Sequence, residues 1–246
     1  MENSKSYPKV SIITITYNAE KTLENTINSV ISQNYTNIEY IIIDGGSTDK
    51  TIDIIKKYQE KISYWISEPD RGIYDAMNKG IKFAHGEWIN FMNSGDKFFD
   101  SNVLSKIFND PISNKYSCVF GNTIFLYNNG KSIEVKYGDR SIHRIMPSCH
   151  QSIFCKSDVL KSYPFNLKYK LAADLDFFNN LKNNNHKYKY INTIVSVYDA
   201  SEGISSINKE KLKTEVKTIL NFSSIKIIQN LSFCIIQKIK RFLFLQ

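Results

Sequence analysis

Residues 9–16 (KVSIITIT) form an apolar, β-branched run of the length of one buried strand. Residues 20–33 then place Leu23, Ile27, Val30 and Ile31 at helical spacing. A second buried run, IEYIII over 38–43, ends in Asp44-Gly45-Gly46-Ser47, all turn formers. A helix is predicted over 48–58 and a short strand over 62–67. Residues 73–84 line up Ile73, Met77, Gly80, Ile81 and Ala84 on one helical side. A fourth strand over 88–92 runs into Asn93-Ser94-Gly95-Asp96.

This alternation predicts an α/β fold with a mostly parallel central sheet flanked by helices. Ligands of such sheets bind beyond the carboxyl ends of the strands. Thr16-Tyr17-Asn18, Asp44-Gly45-Gly46 and Asn93-Ser94-Gly95-Asp96 each follow a strand, so they are expected to converge on one rim. The second half is less regular. Runs over 120–127 and 132–137 flank Asn128-Asn129-Gly130, a hairpin signal. Residues 172–182 predict a helix carrying Asp174 and Asp176, and 188–197 a further strand. From 209 onward the pattern is helical to the end.

That last stretch sets Ile228, Leu231, Ile235, Ile239 and Phe242 among Lys226, Lys238, Lys240 and Arg241. It is too polar to span a bilayer. It suits a basic amphipathic helix lying on a membrane, or equally one packed on the domain or on a second subunit. The 246 residues fit one large domain, or a domain with an appendage.

The net charge of +8 suits anionic partners, but no dense basic tract favours nucleic acid. Four cysteines without a CxxC pair argue against a structural zinc site or a disulfide framework. The N-terminal MENSKSYPKV shows no secretory signal, so the expected compartment is the cytosol.

Taken singly, each polar cluster reads as an ordinary turn. Each also has a chemical reading. Arg71 offers an always-charged planar fork suited to phosphate. Asp75 and Asn78, three apart, share a helix face. Asp96 can hold a hard divalent cation. Asp174 and Asp176 read, on pattern alone, as exposed helix carboxylates.

Together, VSIITITYNAEKTLENTINSVISQ, YIIIDGGSTDKT, SEPDRGIYDAMNKGI and WINFMNSGD resemble the family 2 glycosyltransferases of the GT-A fold. Bacterial surface-polysaccharide enzymes (colanic acid, O-antigen, capsule) are the similar members. The likeness is close over 8–100 and looser over 145–206.

It implies an inverting transfer from a nucleotide diphosphate sugar, UDP-linked by preference, to a saccharide or lipid-linked saccharide. Tyr17 would pack on the base, with Thr16 and Glu20 shaping that pocket and Asp44 bonding the base. Arg71 would contact the diphosphate, and Asn78, Asn93 and Ser94 would complete the donor site. Asn93-Ser94-Gly95 replaces the family's acidic triplet, leaving Asp96 as the metal ligand for Mn or Mg.

Leu171-Ala172-Ala173-Asp174 resembles the acceptor motif, with Asp174 as catalytic base and Ala173 in place of a glutamate. His150 and Asp176 would lie on the acceptor side, and Gly203-Ile204-Ser205 would follow the last strand as a loop. The implied layout is a domain over 1–206, with a donor half over 1–100 and an acceptor half over 101–206. A helical extension occupies 207–246. A silent nucleotide-sugar-binding scaffold and a sugar nucleotidyltransferase remain the alternatives.

Overall fold

The computed structural model describes residues 7–127, 129–138, 145–199 and 209–220. The first half follows the predicted alternation. Strands β1 (Val10–Thr16), β2 (Ile38–Asp44), β3 (Tyr64–Ser67) and β4 (Trp88–Phe91) pair in parallel, in the order β3-β2-β1-β4. Helices α1 (Leu23–Ile31), α2 (Thr51–Lys57) and α3 (Ile73–Phe83) connect them.

Every residue of β1 is buried, as expected of a strand covered on both faces. Alternate side chains feed opposite faces. Val10 and Ile12 join the layer with Leu23, Ile27 and Val30 of α1. Ile13 and Ile15 join the layer with Met77 and Ile81 of α3. Gly80 sets the spacing of the second layer: a Cβ there would lie 2.6 Å from the Ile13 Cγ2. A larger residue would push α3 off the sheet.

The second half continues the sheet with mixed strand directions. It contains β5 (Lys97–Phe98), α4 (Val103–Phe108), β6 (Tyr116–Leu126), β7 (Ser132–Val135), β8 (Ile153–Lys156), α5 (Ser157–Ser162), α6 (Ala173–Asn183), β9 (Lys187–Asp199) and α7 (Lys209–Leu220). The sheet continues past β4 as β8-β6-β9-β5, with β7 beside β6. β8 runs antiparallel to β4 and β6, and β5 antiparallel to β9; only β6 and β9 are parallel.

The predicted hairpin is β6–β7. Among the cysteines, Cys118 and Cys155 are free and face each other across β6 and β8. Cys149 is disulfide-bonded, which spacing alone did not reveal.

α7 opens the predicted helical extension. Its Leu212, Val216, Ile219 and Leu220 are buried in the same apolar layer as α3 and α6. The rest of that extension, and the Gly203-Ile204-Ser205 loop, lie outside the described residues. No helix among the described residues is long and apolar enough to cross a membrane.

Candidate active site

The three polar clusters meet at the carboxyl ends of β1, β2 and β4. Gly45 N donates to Thr16 O at 2.9 Å, and Ser94 N donates to Ile15 O at 3.1 Å. The first two loops are zipped together. Asn18, at a φ of 46°, accepts Thr48 N on its Oδ1 at 2.9 Å. Asn18 N and Ala19 N donate to the hydroxyls of Ser47 and Thr51, each at 2.8 Å.

Several residues expected to touch the donor are occupied by the protein itself. Asp44 is fully buried. Its Oδ2 accepts Gly46 N at 2.9 Å, Ser47 N at 2.8 Å and Ser67 Oγ at 2.6 Å, while its Oδ1 accepts Ser47 Oγ. In this structure the carboxylate shapes the loop from beneath.

Both ends of the Asn78 amide bond the Phe165 backbone, at 2.8 and 2.9 Å. Ser94 donates its hydroxyl to Ile15 O at 3.1 Å. Glu20 accepts Lys50 N at 3.1 Å and so braces the start of α2.

What the rim presents outward is Tyr17, 63% exposed, beside Gly45. A Cβ on Gly45 would lie 3.4 Å from the Tyr17 ring and 2.6 Å from Asp70 Oδ2. Tyr17, the Gly45 backbone and Asp70 therefore form one surface, and glycine is what lets them close up. Nothing in the sequence singled out Asp70, although it sits in the SEPDRG stretch. Its Oδ1 accepts Gly72 N at 2.7 Å.

Thr16 is buried, and its Oγ1 has no hydrogen-bond partner among the described residues. Arg71 lies in the open, 72% exposed, and forks onto Asp75 with Nη2 to Oδ1 at 3.0 Å. That guanidinium holds the Asp75 carboxyl below its ordinary value.

The second half brings a carboxylate to this rim. Asp174, in the first turn of α6, is buried rather than exposed. Its Oδ1 accepts Tyr74 Oη at 2.9 Å and Leu175 N at 2.9 Å, and its Oδ2 lies 3.8 Å from His150 Nδ1. Burial, reinforced by Asp174, pushes the Tyr74 phenol well above its usual pKa, so it stays a donor.

On its other side, His150 Nε2 meets Asn93 Nδ2 at 3.2 Å. With the amide nitrogen donating, Nε2 accepts and Nδ1 carries the proton that faces Asp174. Asn93, His150, Asp174 and Tyr74 thus form one chain from the donor rim to the buried carboxylate.

Asp176 does not join it. Two residues along a helix point apart, and Asp176 turns instead to Asn166 Nδ2 at 3.4 Å. Burial raises its pKa. Ala173, where the resemblance calls for glutamate, is fully buried.

Asp96 is also buried. Its Oδ2 accepts Gln151 Nε2 at 2.9 Å. Burial pushes its pKa up to about 6, against the opposing pull of His150 and Gln151. No group of three His, Cys, Asp or Glu side chains that could hold a metal occurs among the described residues. The corner does offer hard oxygens. Beside Asp96, Asn93 Oδ1 and Gln151 Oε1 are buried without a partner among the described residues. One carboxylate and two carbonyl oxygens suit a cation that arrives already chelated by a diphosphate.

Tyr74 is a further candidate residue that sequence reasoning missed, while Gln151 belongs to the His150-Gln151 pair that the resemblance sets on the acceptor side. Tyr74 carried no local signal.

Residues 11–167 match the family model described as glycosyl transferase family 2. A PGL/p-HBAD biosynthesis glycosyltransferase of Mycobacterium bovis is 28% identical over 219 residues, 84% of this chain and 83% of that protein. An uncharacterized glycosyltransferase of Mycobacterium tuberculosis is 43% identical over 102 residues, 41% of this chain and 39% of that protein.

Two solved structures share the fold. TarS of S. aureus in complex with UDP has a TM-score of 0.66 and 21% identity, covering 96% of this chain and 70% of that one. A mannosyltransferase from Pyrobaculum calidifontis, in complex with GDP-Man and Mn2+, has a TM-score of 0.71 and 15% identity, covering 89% and 66%. The parallel half-sheet with its polar rim and the matched span agree: the chain belongs to glycosyl transferase family 2 and is a glycosyltransferase of the GT-A fold.

Proposed function

We propose that this protein transfers one sugar from a nucleotide diphosphate donor, UDP-linked by preference, to a saccharide acceptor with inversion. The observation that carries the reading is the chain from Asn93 through His150 to Asp174 and Tyr74. It sets one carboxylate beside the donor rim, where a base is needed for an attacking hydroxyl.

Asp174 takes the proton as the acceptor oxygen attacks the anomeric carbon, and the nucleoside diphosphate leaves on the opposite side. A single displacement inverts the centre. Tyr74 and His150 hold Asp174 in place. The base stacks on Tyr17 over Gly45, and Arg71 swings from Asp75 to the diphosphate. A divalent cation, when bound, neutralises charge on the leaving diphosphate, and Asp96 with Asn93 Oδ1 would hold it.

The preference for UDP rests on the family likeness, and the TarS structure with UDP supports it. A lipid-linked glycan in bacterial surface polysaccharide assembly is the proposed acceptor. The reaction is cytoplasmic, with the basic C-terminal segment resting on the membrane.

Thermal-shift measurement against a panel of nucleotide sugars, with and without manganese, tests the donor. At a hundredfold excess over Kd a true donor adds about 2.7 kcal/mol, which raises Tm by roughly 5–10 °C in a chain of this size. A panel in which no nucleotide sugar moves Tm would remove the donor assignment. Chelation tests the cation: excess EDTA is expected to cut transfer at least about tenfold, with recovery on adding manganese, because the cation screens diphosphate charge. Undiminished transfer in EDTA would refute the requirement.

A further inference from the structure

We propose that Glu215 is a positioning residue for transfer: from α7 it clamps the segment that aims Asp174. The proposal rests on Asp174 being the base. Helix α6 starts without a cap of its own, since its N-cap position is Ala172 and no side chain there bonds the helix. Uncapped amides at a helix start are left to water or to another part of the chain.

Glu215 instead bonds the run that leads into the helix, and of its three partners only the Ala172 amide, at the N-cap, belongs to the helix end. Oε1 accepts Lys170 N at 2.9 Å, and Oε2 accepts Leu171 N at 2.8 Å and Ala172 N at 3.1 Å. Three successive amides thus converge on one carboxylate, the geometry of an anion nest. The charge also sits at the positive end of α6, where the helix dipole favours it.

Glu215 is only 8% exposed, and the α7 residues Leu212, Val216 and Ile219 are buried around it, so it has little freedom to move. The clamped residues lead straight into the turn that holds Asp174. Lys170 Nζ also reaches Arg71 O at 3.2 Å, so the same segment touches the diphosphate-side loop. Glu215 lies outside the residues that match the family model, 11–167. Asp174, at the end of the clamped segment, lies beyond that span as well.

The test compares Glu215→Ala and Glu215→Gln with the parent, well below their melting temperatures. Glutamine keeps the side-chain volume and one acceptor oxygen, so it preserves packing better than alanine, while its NH2 faces at least one of the amides and weakens the clamp. Misplacing a reacting group by an ångström costs up to 10²-fold. On that scale, Glu215→Ala is expected to lose about tenfold or more in kcat and Glu215→Gln roughly threefold. Donor KM, and the Tm rise on adding donor, should stay within about twofold of the parent.

A residue that merely holds α7 in place would lower Tm and leave kcat untouched in the folded enzyme. That outcome, with kcat of both variants within twofold of the parent, overturns the proposal. If alanine does not fold, the glutamine variant decides alone.

The double variant with Asp174→Asn separates the two readings. If Glu215 acts through Asp174, its removal adds no further loss of kcat on that background, a coupling the cycle measures directly. An inactive Asp174→Asn with both Glu215 variants fully active sinks the positioning role and keeps the base. A fully active Asp174→Asn sinks the base itself.

Discussion

Asp174→Asn is expected to abolish transfer while leaving donor binding intact. A positioned general base contributes about 10²–10⁴-fold, so kcat should fall by that order. The substitution is nearly isosteric, and the contacts explain why the fold should tolerate it. The carbonyl oxygen of the new amide could still accept the Tyr74 hydroxyl and Leu175 N, as Asp174 Oδ1 does at 2.9 Å each.

What disappears is the carboxylate charge next to His150 and the capacity to take a proton. The proposed donor surface of Tyr17, Gly45 and Asp70 belongs to other loops, so donor Kd should stay within about threefold, or ~0.7 kcal/mol. The check is steady-state transfer together with donor-induced thermal shift on the same preparation. Near-normal turnover in the folded variant would end the assignment of Asp174 as base. A lost donor shift would place Asp174 in donor binding instead.

The parts of this site that could be read in the sequence share one property: their partners are close in the chain or repeat a period. The strand runs, the turns after them and the convergence of three turns on one rim all follow from local patterns. The mixed second half did not, because a short run such as β8 says nothing about which neighbour it will meet or in which direction.

Residue roles are harder to read for a related reason. A polar residue at a strand end looks the same in sequence whether it faces a ligand or braces a loop. Asp44 and Asn78, expected as donor contacts, are internal braces, with partners such as Phe165, 87 residues away from Asn78. The bond from Tyr74 to Asp174 spans 100 residues, and the clamp from Glu215 on α7 to Leu171 spans 44. No local pattern announces such pairings. Asp174 itself was found through likeness to a family, since pattern alone placed it on an exposed helix face; the fold buries it.

The role given to Asp44 yields the second large effect. Asp44→Ala strands two backbone amides and two hydroxyls that now share one buried carboxylate. Buried donors left without a partner cost about 1–3 kcal/mol each when nothing replaces it. The serine hydroxyls can turn elsewhere, so a net loss of roughly 2–4 kcal/mol is expected. The measurement is the urea midpoint at unchanged m-value.

Gly45 and Gly46 ride on this turn, so donor Kd should also rise about tenfold, ~1.4 kcal/mol. Asp44→Asn discriminates between bracing and direct contact. Its carbonyl can still accept the two amides and its NH2 can meet the Ser47 hydroxyl. A brace therefore predicts a milder loss, about 1 kcal/mol, with nearly parental donor affinity. A carboxylate that bonded the base directly would show the reverse. Stability would be almost unchanged in both variants, and donor affinity would fall as far with asparagine as with alanine.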